Sequence, residues 1–478
     1  MNKLKKDFAY QFTYRVLTVI TPLITSPYLA RTLGPDKLGI YSATYAYANY
    51  FILFAILGIE FYGNRSIAVV AEDKQSRRQT FWNIYAVQFA AALLSVLVYY
   101  ATFGILFDES RNLVCCLQGM WVIASGLDIN WFFFGKQEFK LAVTRNIIIK
   151  IVSIVCIFLF VHGQADLYKY VFIMAFSMVV SQGVLWIFLF RDIGFYKPVW
   201  GKVRKNIKPI LLLFVPVLAM SVFHIMDKTM VDLLSNETNG GYYYNVDRLV
   251  NIPLGLITGL GTVMLPRMSR LSGDKNAKAV TMLGKSSELS MFLTSAVAFG
   301  LGAIAKTFVP VFFGPGYEPC IAMIQAFIPI IVIKGLSDFI RQQYLIPVKK
   351  DKLYVAAVFT GACVNLVANY ILILRYGAMG AVIGTFLAEA VVLLIEMLGS
   401  AGQISFLKLF SRHGMYLLIG CAMYGIVKLV ESKSGLSGIV NLIALICVGG
   451  CSYMLMCVLY WIKTKESIFK PYVNKIAR

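Results

Sequence analysis

Charged side chains stand inside the apolar runs of this sequence, and their spacing groups them. His224, Asp227 and Lys228 of HIMDK lie at i, i+3 and i+4, so on a helix they share one face. A histidine beside a carboxylate and an ammonium can serve as a proton switch, because the carboxylate tunes its titration. Asp247 and Arg248 follow in the next run, which leaves a structural alternative: Asp227 paired with Arg248 or with Lys228. Lys334, Asp338 and Arg341 occupy a further run, where Asp338 and Arg341 can pair at i,i+3. Glu389 is the expected partner of Lys334. Arg15 sits about six residues, roughly 9 Å, into the first run, and Arg31 stands at its far end. Arg15 either snorkels to the headgroups or faces a cavity, with Asp128 as candidate partner.

These residues suit binding of an anion and exchange of an ion, not bond-breaking. The substrate-facing cations are read as Arg15, Arg31, Lys228, Arg248, Lys334 and Arg341. Asp128, His224, Asp227, Asp247, Asp338 and Glu389 are read as ion-coupling groups or structural partners. The three histidines, His162, His224 and His413, are far apart. The sequence contains no Walker motif, HExxH or GxSxG in a strand–turn–helix context, and no metal set is expected. Its nine cysteines, mostly in apolar runs, read as buried inert thiols.

The elements that must hold these groups are membrane helices. The chain has 478 residues, 59% apolar and 14% charged, with a mean hydropathy of +0.71. A water-soluble protein so composed would expose too much hydrocarbon. A span takes about 20 apolar residues, and fourteen are predicted: 9–30, 40–62, 81–107, 112–134, 146–162, 168–190, 209–234, 242–266, 284–308, 320–346, 354–374, 378–402, 413–431 and 437–462. The span at 146–162 is short. Pro22 and Pro27 are expected to kink or break the first. Trp82, Trp131 and Trp461 fall near span ends, where interface anchors sit.

Positive charge alternates across the connections. Arg31, Lys37, Arg111, Arg375 and Lys433 lie on one side, whereas most of the 45 Lys and Arg crowd the other or the tail. The basic side is cytoplasmic by the positive-inside rule, so both termini are cytoplasmic. The net charge of +21 is therefore a topology signal, aided by anionic lipids, and not a nucleic-acid surface.

The chain also repeats. Gly39-x-Tyr41 opens an apolar span that meets Arg65; Gly241-x-Tyr243 opens one that meets Arg267 at the same spacing. SGLDINWFFFGKQ and KGLSDFIRQQYLIP, from Ser125 and Lys334, are a weaker echo. The echoes relate spans 2 and 8, then 4 and 10, so the repeats run parallel. The expected fold is all-α, with two pseudo-symmetric six-helix bundles at 1–200 and 201–405. Two extra spans and a basic tail fill 406–478.

SPYLARTLGPDKLGIYS resembles the opening signature of Wzx-type O-antigen and polysaccharide flippases, members of the multidrug/oligosaccharidyl-lipid/polysaccharide exporter superfamily. FILFAILGIEFYGNRSIA, MDKTMVDLLSNETNGGYYYNVDRLVNIPLG, VMLPRMSRL, FFGPGYEP and VNLVANYILILRYGAMGAVIGTFLAE resemble later signatures, in order, over about residues 5–402. The resemblance implies passage of an undecaprenyl-diphosphate-linked oligosaccharide across the bacterial cytoplasmic (inner) membrane. It implies alternating access through a basic cavity, H+ or Na+ as coupling ion, and membrane lipids and polysaccharide polymerase or chain-length machinery as partners. Arg15, Arg31 and Arg248 match places where basic residues recur in related flippases. HIMDK departs at His224, where an aliphatic or aromatic residue is usual. Two other readings stay open: a MATE-like ion-coupled antiporter, which needs a net acidic cavity, and a membrane polymerase or ligase, which usually carries one large outer loop.

Overall fold

A backbone inside hydrocarbon must satisfy its own amides, and long apolar runs do so as helices. The computed structural model describes residues 3–106, 109–271, 277–401 and 413–464, together with 405, 406 and 410. Helices build it: α1 (Lys3–Ile56), α2 (Ile59–Val69), α3 (Lys74–Leu106), α4 (Glu109–Gly126), α5 (Asn130–Gly135), α6 (Phe139–Phe160), α7 (Leu167–Asp192), α8 (Trp200–Leu234), α9 (Glu237–Leu271), α10 (Ala277–Phe312), α11 (Pro319–Ile340), α12 (Asp351–Tyr376), α13 (Ala378–Leu398), α14 (Met415–Lys433) and α15 (Gly438–Lys463). Among the described residues no strand occurs, and eleven segments are long and apolar enough to cross a membrane. The first, Ile20–Val69, covers 50 residues. That is roughly 75 Å of helix, more than two hydrocarbon thicknesses of about 30 Å; with the earlier residues of α1, which begins at Lys3, it takes in the two spans read at 9–30 and 40–62. The 35-residue helices α8 and α9 cover those read at 209–234 and 242–266.

The break between spans 1 and 2 is not at the expected prolines. Helical dihedrals run through Pro22 and Pro27, and Gly34 alone departs inside α1, at φ 76° and ψ 172°. A side chain there would be strained, and Pro35 then restarts the helix without an amide to satisfy. The hydroxyl of Thr25, between the two prolines, donates to the Thr21 carbonyl at 3.0 Å. Span 2 breaks again at residues 57–58 and span 4 at 127–129, both towards the basic end. Span 10 ends in a π-helical turn, Arg341–Leu345. At the basic end Asp73 caps α3, and bonds from Ser76 and Gln75 hold its carboxyl below the usual range.

The chain forms two compact units, Met1–Gly241 and Tyr242–Arg478. In the first, α1 packs on α3, α4, α6 and α8, and α4 on α7. Its aromatic core includes Phe81, Trp82, Tyr85, Trp131, Phe132 and Phe133. In the second, α11 packs on α10 and α13, α12 on α13, and α14 and α15 on α10. Phe292, Tyr344, Phe406, Tyr416, Tyr453 and Trp461 fill that core.

Trp82, Trp131 and Trp461 are buried, not interface anchors. Their indole N–H groups donate to Gly194 O (2.8 Å), Gln88 Oε1 (3.0 Å) and Tyr416 Oη (2.7 Å). Such internal acceptors remove the need for an interface. Of the cysteines, Cys116, Cys363, Cys421, Cys447 and Cys451 are exposed on helix surfaces. In a membrane protein those surfaces can meet lipid, so an apolar sequence context does not ensure burial.

Candidate functional site

Polar groups gather at both ends of the first unit. At the basic end the Asp128 carboxylate lies in the break between α4 and α5. It accepts from the Asn130 main-chain N–H at 2.8 Å and from the Asn130 side chain at 2.7 Å. Arg145 of α6, 6% exposed, donates to Asn130 Oδ1 at 3.1 Å. Gln88 of α3 donates to the carbonyls of Ser125 (3.1 Å) and Asp128 (2.8 Å). A side chain thus takes up carbonyls that the broken helix leaves open.

At the opposite end, Arg111 of α4 bridges Asp232 of α8 (3.2 Å) and Glu237 of α9 (2.7 Å). Tyr47 donates to the same Asp232 oxygen at 2.7 Å. Here the two repeat-opening glycines meet opposing backbone. A Cβ on Gly39 would stand 1.8 Å from the Glu237 carbonyl oxygen, and one on Gly241 1.9 Å from that of Pro35. Neither position has room for a side chain.

The second unit holds an ionic ladder between α11 and α13. Lys334 and Arg341 are seven residues apart on α11 and at its end; Glu389 and Glu396 are seven apart on α13. Two helical turns separate the members of each pair, so each pair keeps one face. Lys334 Nζ lies 4.0 Å from Glu389 Oε1, and Arg341 Nε lies 3.4 Å from Glu396 Oε1. Arg341 Nη1 also reaches Asp338 Oδ1 at 3.4 Å, the i,i+3 pairing expected from the sequence. Ser337 Oγ donates to Glu396 Oε2 at 2.7 Å and accepts from Arg341 Nη2 at 3.0 Å. The guanidinium sits over the Tyr354 ring, 5.3 Å from its centre.

The model of the polysaccharide biosynthesis protein family matches residues 4–272, more than half of the chain. The chain belongs to that family. A protein of Escherichia coli (strain K12) named for O-antigen transport is 23% identical over 399 residues, covering 81% of this chain and 94% of its own. One of Haloferax volcanii (strain ATCC 29605), named for the flippase of low-salt glycan biosynthesis, is 22% identical over 259 residues, covering 52% of this chain and 53% of its own. Among solved structures, the lipid II flippase MurJ in an inward closed conformation superposes with a TM-score of 0.72 at 14% identity, covering 95% of this chain and 98% of that one. An inward-facing multidrug MATE transporter gives 0.63 at 14% identity, covering 84% and 98%. The all-helical membrane fold is therefore that of the MurJ and MATE transporters.

In this polysaccharide biosynthesis protein the residues singled out in the sequence are partly assembled. Lys334, Asp338, Arg341 and Glu389 come together in the ladder. Asp227 is buried and Lys228 half-buried on α8. On α9, Asp247 accepts from Asn251 at 2.6 Å, and Arg248 donates to Tyr244 Oη at 3.0 Å. Arg31 is exposed at the end of the first segment of α1. Arg15 and His224 lie on α1 and α8, with side chains outside the described residues, as are the Arg267 side chain and the basic tail at 465–478.

Sequence reasoning missed Arg145, Glu396 and Glu288. Hydropathy starts the fifth span at 146 and puts Arg145 outside it, whereas α6 begins at Phe139. Glu396 was legible from its seven-residue spacing to Glu389. Glu288, buried in α10, accepts from Tyr416 Oη at 2.8 Å, tying α14 to α10.

Proposed function

We propose that this multi-pass membrane protein is a flippase. It carries undecaprenyl-diphosphate-linked oligosaccharide repeat units across the bacterial cytoplasmic membrane for surface polysaccharide such as O-antigen or capsule. The observation that carries this reading is the near full-length match to the relative named for O-antigen transport, within a family named for polysaccharide biosynthesis. The substrate is a polar glycan and an anionic diphosphate on a greasy tail. Basic groups in membrane helices suit the diphosphate, because guanidinium and ammonium replace its lost hydration.

In this account Arg15, Arg31, Lys228 and Arg248 meet the headgroup, with Lys334 and Arg341 reaching it from the ladder. Asp128, His224, Asp227, Asp247, Asp338 and Glu389 balance them or carry the coupling ion, H+ or Na+. The repeats 1–200 and 201–405 alternate access by rocking, while 406–478 adds two helices and a tail. A polymerase or chain-length protein takes the product at the outer leaflet.

A second reading, ion-coupled export of a cationic drug or metabolite, draws on the acidic excess of the ladder, three carboxylates to two cations. Gene deletion with complementation separates the two. The flippase reading expects surface polysaccharide to disappear, its lipid-linked precursor to build up, and both to be restored by the intact gene. Normal surface polysaccharide with raised drug sensitivity contradicts it.

A further inference from the structure

An open cavity of about 520 Å3 lies on α8 in the first unit. Its described lining residues are Arg204, Ile207, Lys208, Leu211, Leu212 and Val215. They recur at intervals of three and four, so they form one stripe of the helix. The stripe changes character along its length. Arg204 and Lys208 stand exposed at the basic end; Leu211, Leu212 and Val215, also exposed, follow one to two turns deeper. From Arg204 to Val215 is eleven residues, roughly 16 Å of helix and about half of a 30 Å hydrocarbon core. The cavity is therefore one leaflet deep, cationic at its mouth and apolar below.

The rest of α8 fixes which way this stripe looks. Val203, Ile210 and Phe214 are buried. Asn206 accepts from the Tyr62 hydroxyl of α2 at 2.8 Å. A Cβ on Gly58, in the break between α1 and α2, would stand 2.5 Å from the Ile210 carbonyl oxygen. The helix is seated closely there and cannot turn its stripe inward. Other cations of the same end have partners inside the protein: Arg77 and Lys136 pair with Asp192, and Lys202 donates to Gln79 at 2.9 Å. Among the described residues, Arg204 and Lys208 have no such partner. Two unanswered cations one turn apart, above an apolar groove, complement an anion joined to hydrocarbon.

We propose that α8 holds one anionic phospholipid of the leaflet on the basic side, as a resident lipid. Its phosphate lies between Arg204 and Lys208, and its chains run along Leu211, Leu212 and Val215. Guanidinium and ammonium meet phosphate through charge-assisted hydrogen bonds, and each cation at such a surface adds to the affinity for anionic lipid. A zwitterionic lipid fills the groove equally well but brings no net charge to the cations. A soluble phosphate meets the cations and leaves the apolar half of the stripe bare. The length of that half selects a lipid, and the cations select its charge. The site does not rest on the flippase reading.

Native mass spectrometry of the full chain, released from micelles that contain phosphatidylglycerol or phosphatidylcholine, counts the lipids that stay bound. One phosphatidylglycerol per protein is expected to persist under conditions that strip phosphatidylcholine. The double variant Arg204→Gln, Lys208→Gln is expected to weaken its binding about tenfold or more. Equal retention of phosphatidylcholine, or unchanged retention in the double variant, overturns the site. Arg65→Gln with Lys74→Gln removes two exposed cations of the same end outside the cavity; an equal loss there reduces the effect to net charge and overturns the site. Val215→Trp fills the apolar half at constant charge and is expected to release the lipid, and unchanged retention overturns the placement of the chains. Should the double variant not accumulate, Lys208→Gln alone is expected to weaken binding, and an unmoved affinity overturns the site. Inorganic phosphate is expected to leave the lipid bound, and its displacement marks a soluble-anion site instead. Displacement by equimolar undecaprenyl diphosphate makes the stripe part of the transport path and overturns the resident lipid.

Discussion

Arg341 and Glu396 meet across α11 and α13 at 3.4 Å, and seven residues earlier on each helix Lys334 faces Glu389. One spacing thus sets both rungs. Because Arg341 also answers Asp338, its loss leaves two carboxylates without their guanidinium. Arg341→Ala is expected to lower stability by roughly 3–5 kcal/mol, the cost of breaking a buried pair. Adding Glu396→Gln should recover part of it. Thermal unfolding of the single and double variants in detergent checks this; additive losses would mean that the two residues are not coupled.

The backbone crossing at Gly39 and Gly241 gives a second expectation. Gly39→Ala and Gly241→Ala place a methyl within 2 Å of a carbonyl oxygen, so the helices must part. Both variants should cut glycan delivery at least tenfold or fail to accumulate. A Cβ on Gly183 of α7 meets nothing within 4 Å, and Gly183→Ala should be neutral or stabilising by up to about 1 kcal/mol. Membrane abundance and complementation, measured together, separate folding from transport.

Arg15 and Arg248 are assigned to the diphosphate. Single Ala substitutions should reduce delivery about tenfold or more, and Lys should restore part of it, because a point charge still meets phosphate. Full delivery by both Ala variants at normal protein levels would remove the basic cavity from the account.

The two C-terminal helices are tied down by Tyr416, which donates to Glu288 at 2.8 Å and accepts from Trp461 at 2.7 Å. Tyr416→Phe leaves both partners short of a bond in a buried setting, which costs about 1–3 kcal/mol. A lowered unfolding temperature, with a shift in tryptophan emission, is the expected signature.

The fold was legible because hydrocarbon imposes one solution, and composition alone declares the hydrocarbon. The two glycines that open the sequence echo, Gly39 and Gly241, lie where backbones touch. Helix ends were harder to read. Arg145 looked like a loop residue because a buried cation beside Asn130 and Asn146 leaves no apolar trace. Pro22 and Pro27 looked like breaks, yet the turn needed positive φ, and only Gly34 of α1 supplies it. Asp128 accepts from Asn130, two residues on, inside a helix break that hydropathy does not reveal. Glu396 escaped notice although its spacing gave it away.

The central claim is movement of a lipid-linked oligosaccharide from the inner to the outer leaflet. The most direct test follows the leaflet of that intermediate in spheroplasts after the protein is depleted, using a membrane-impermeant periodate or lectin probe. The account predicts that the glycan becomes inaccessible to the probe on depletion and accessible again when wild-type protein is restored. Unchanged outer-leaflet exposure throughout depletion would contradict it.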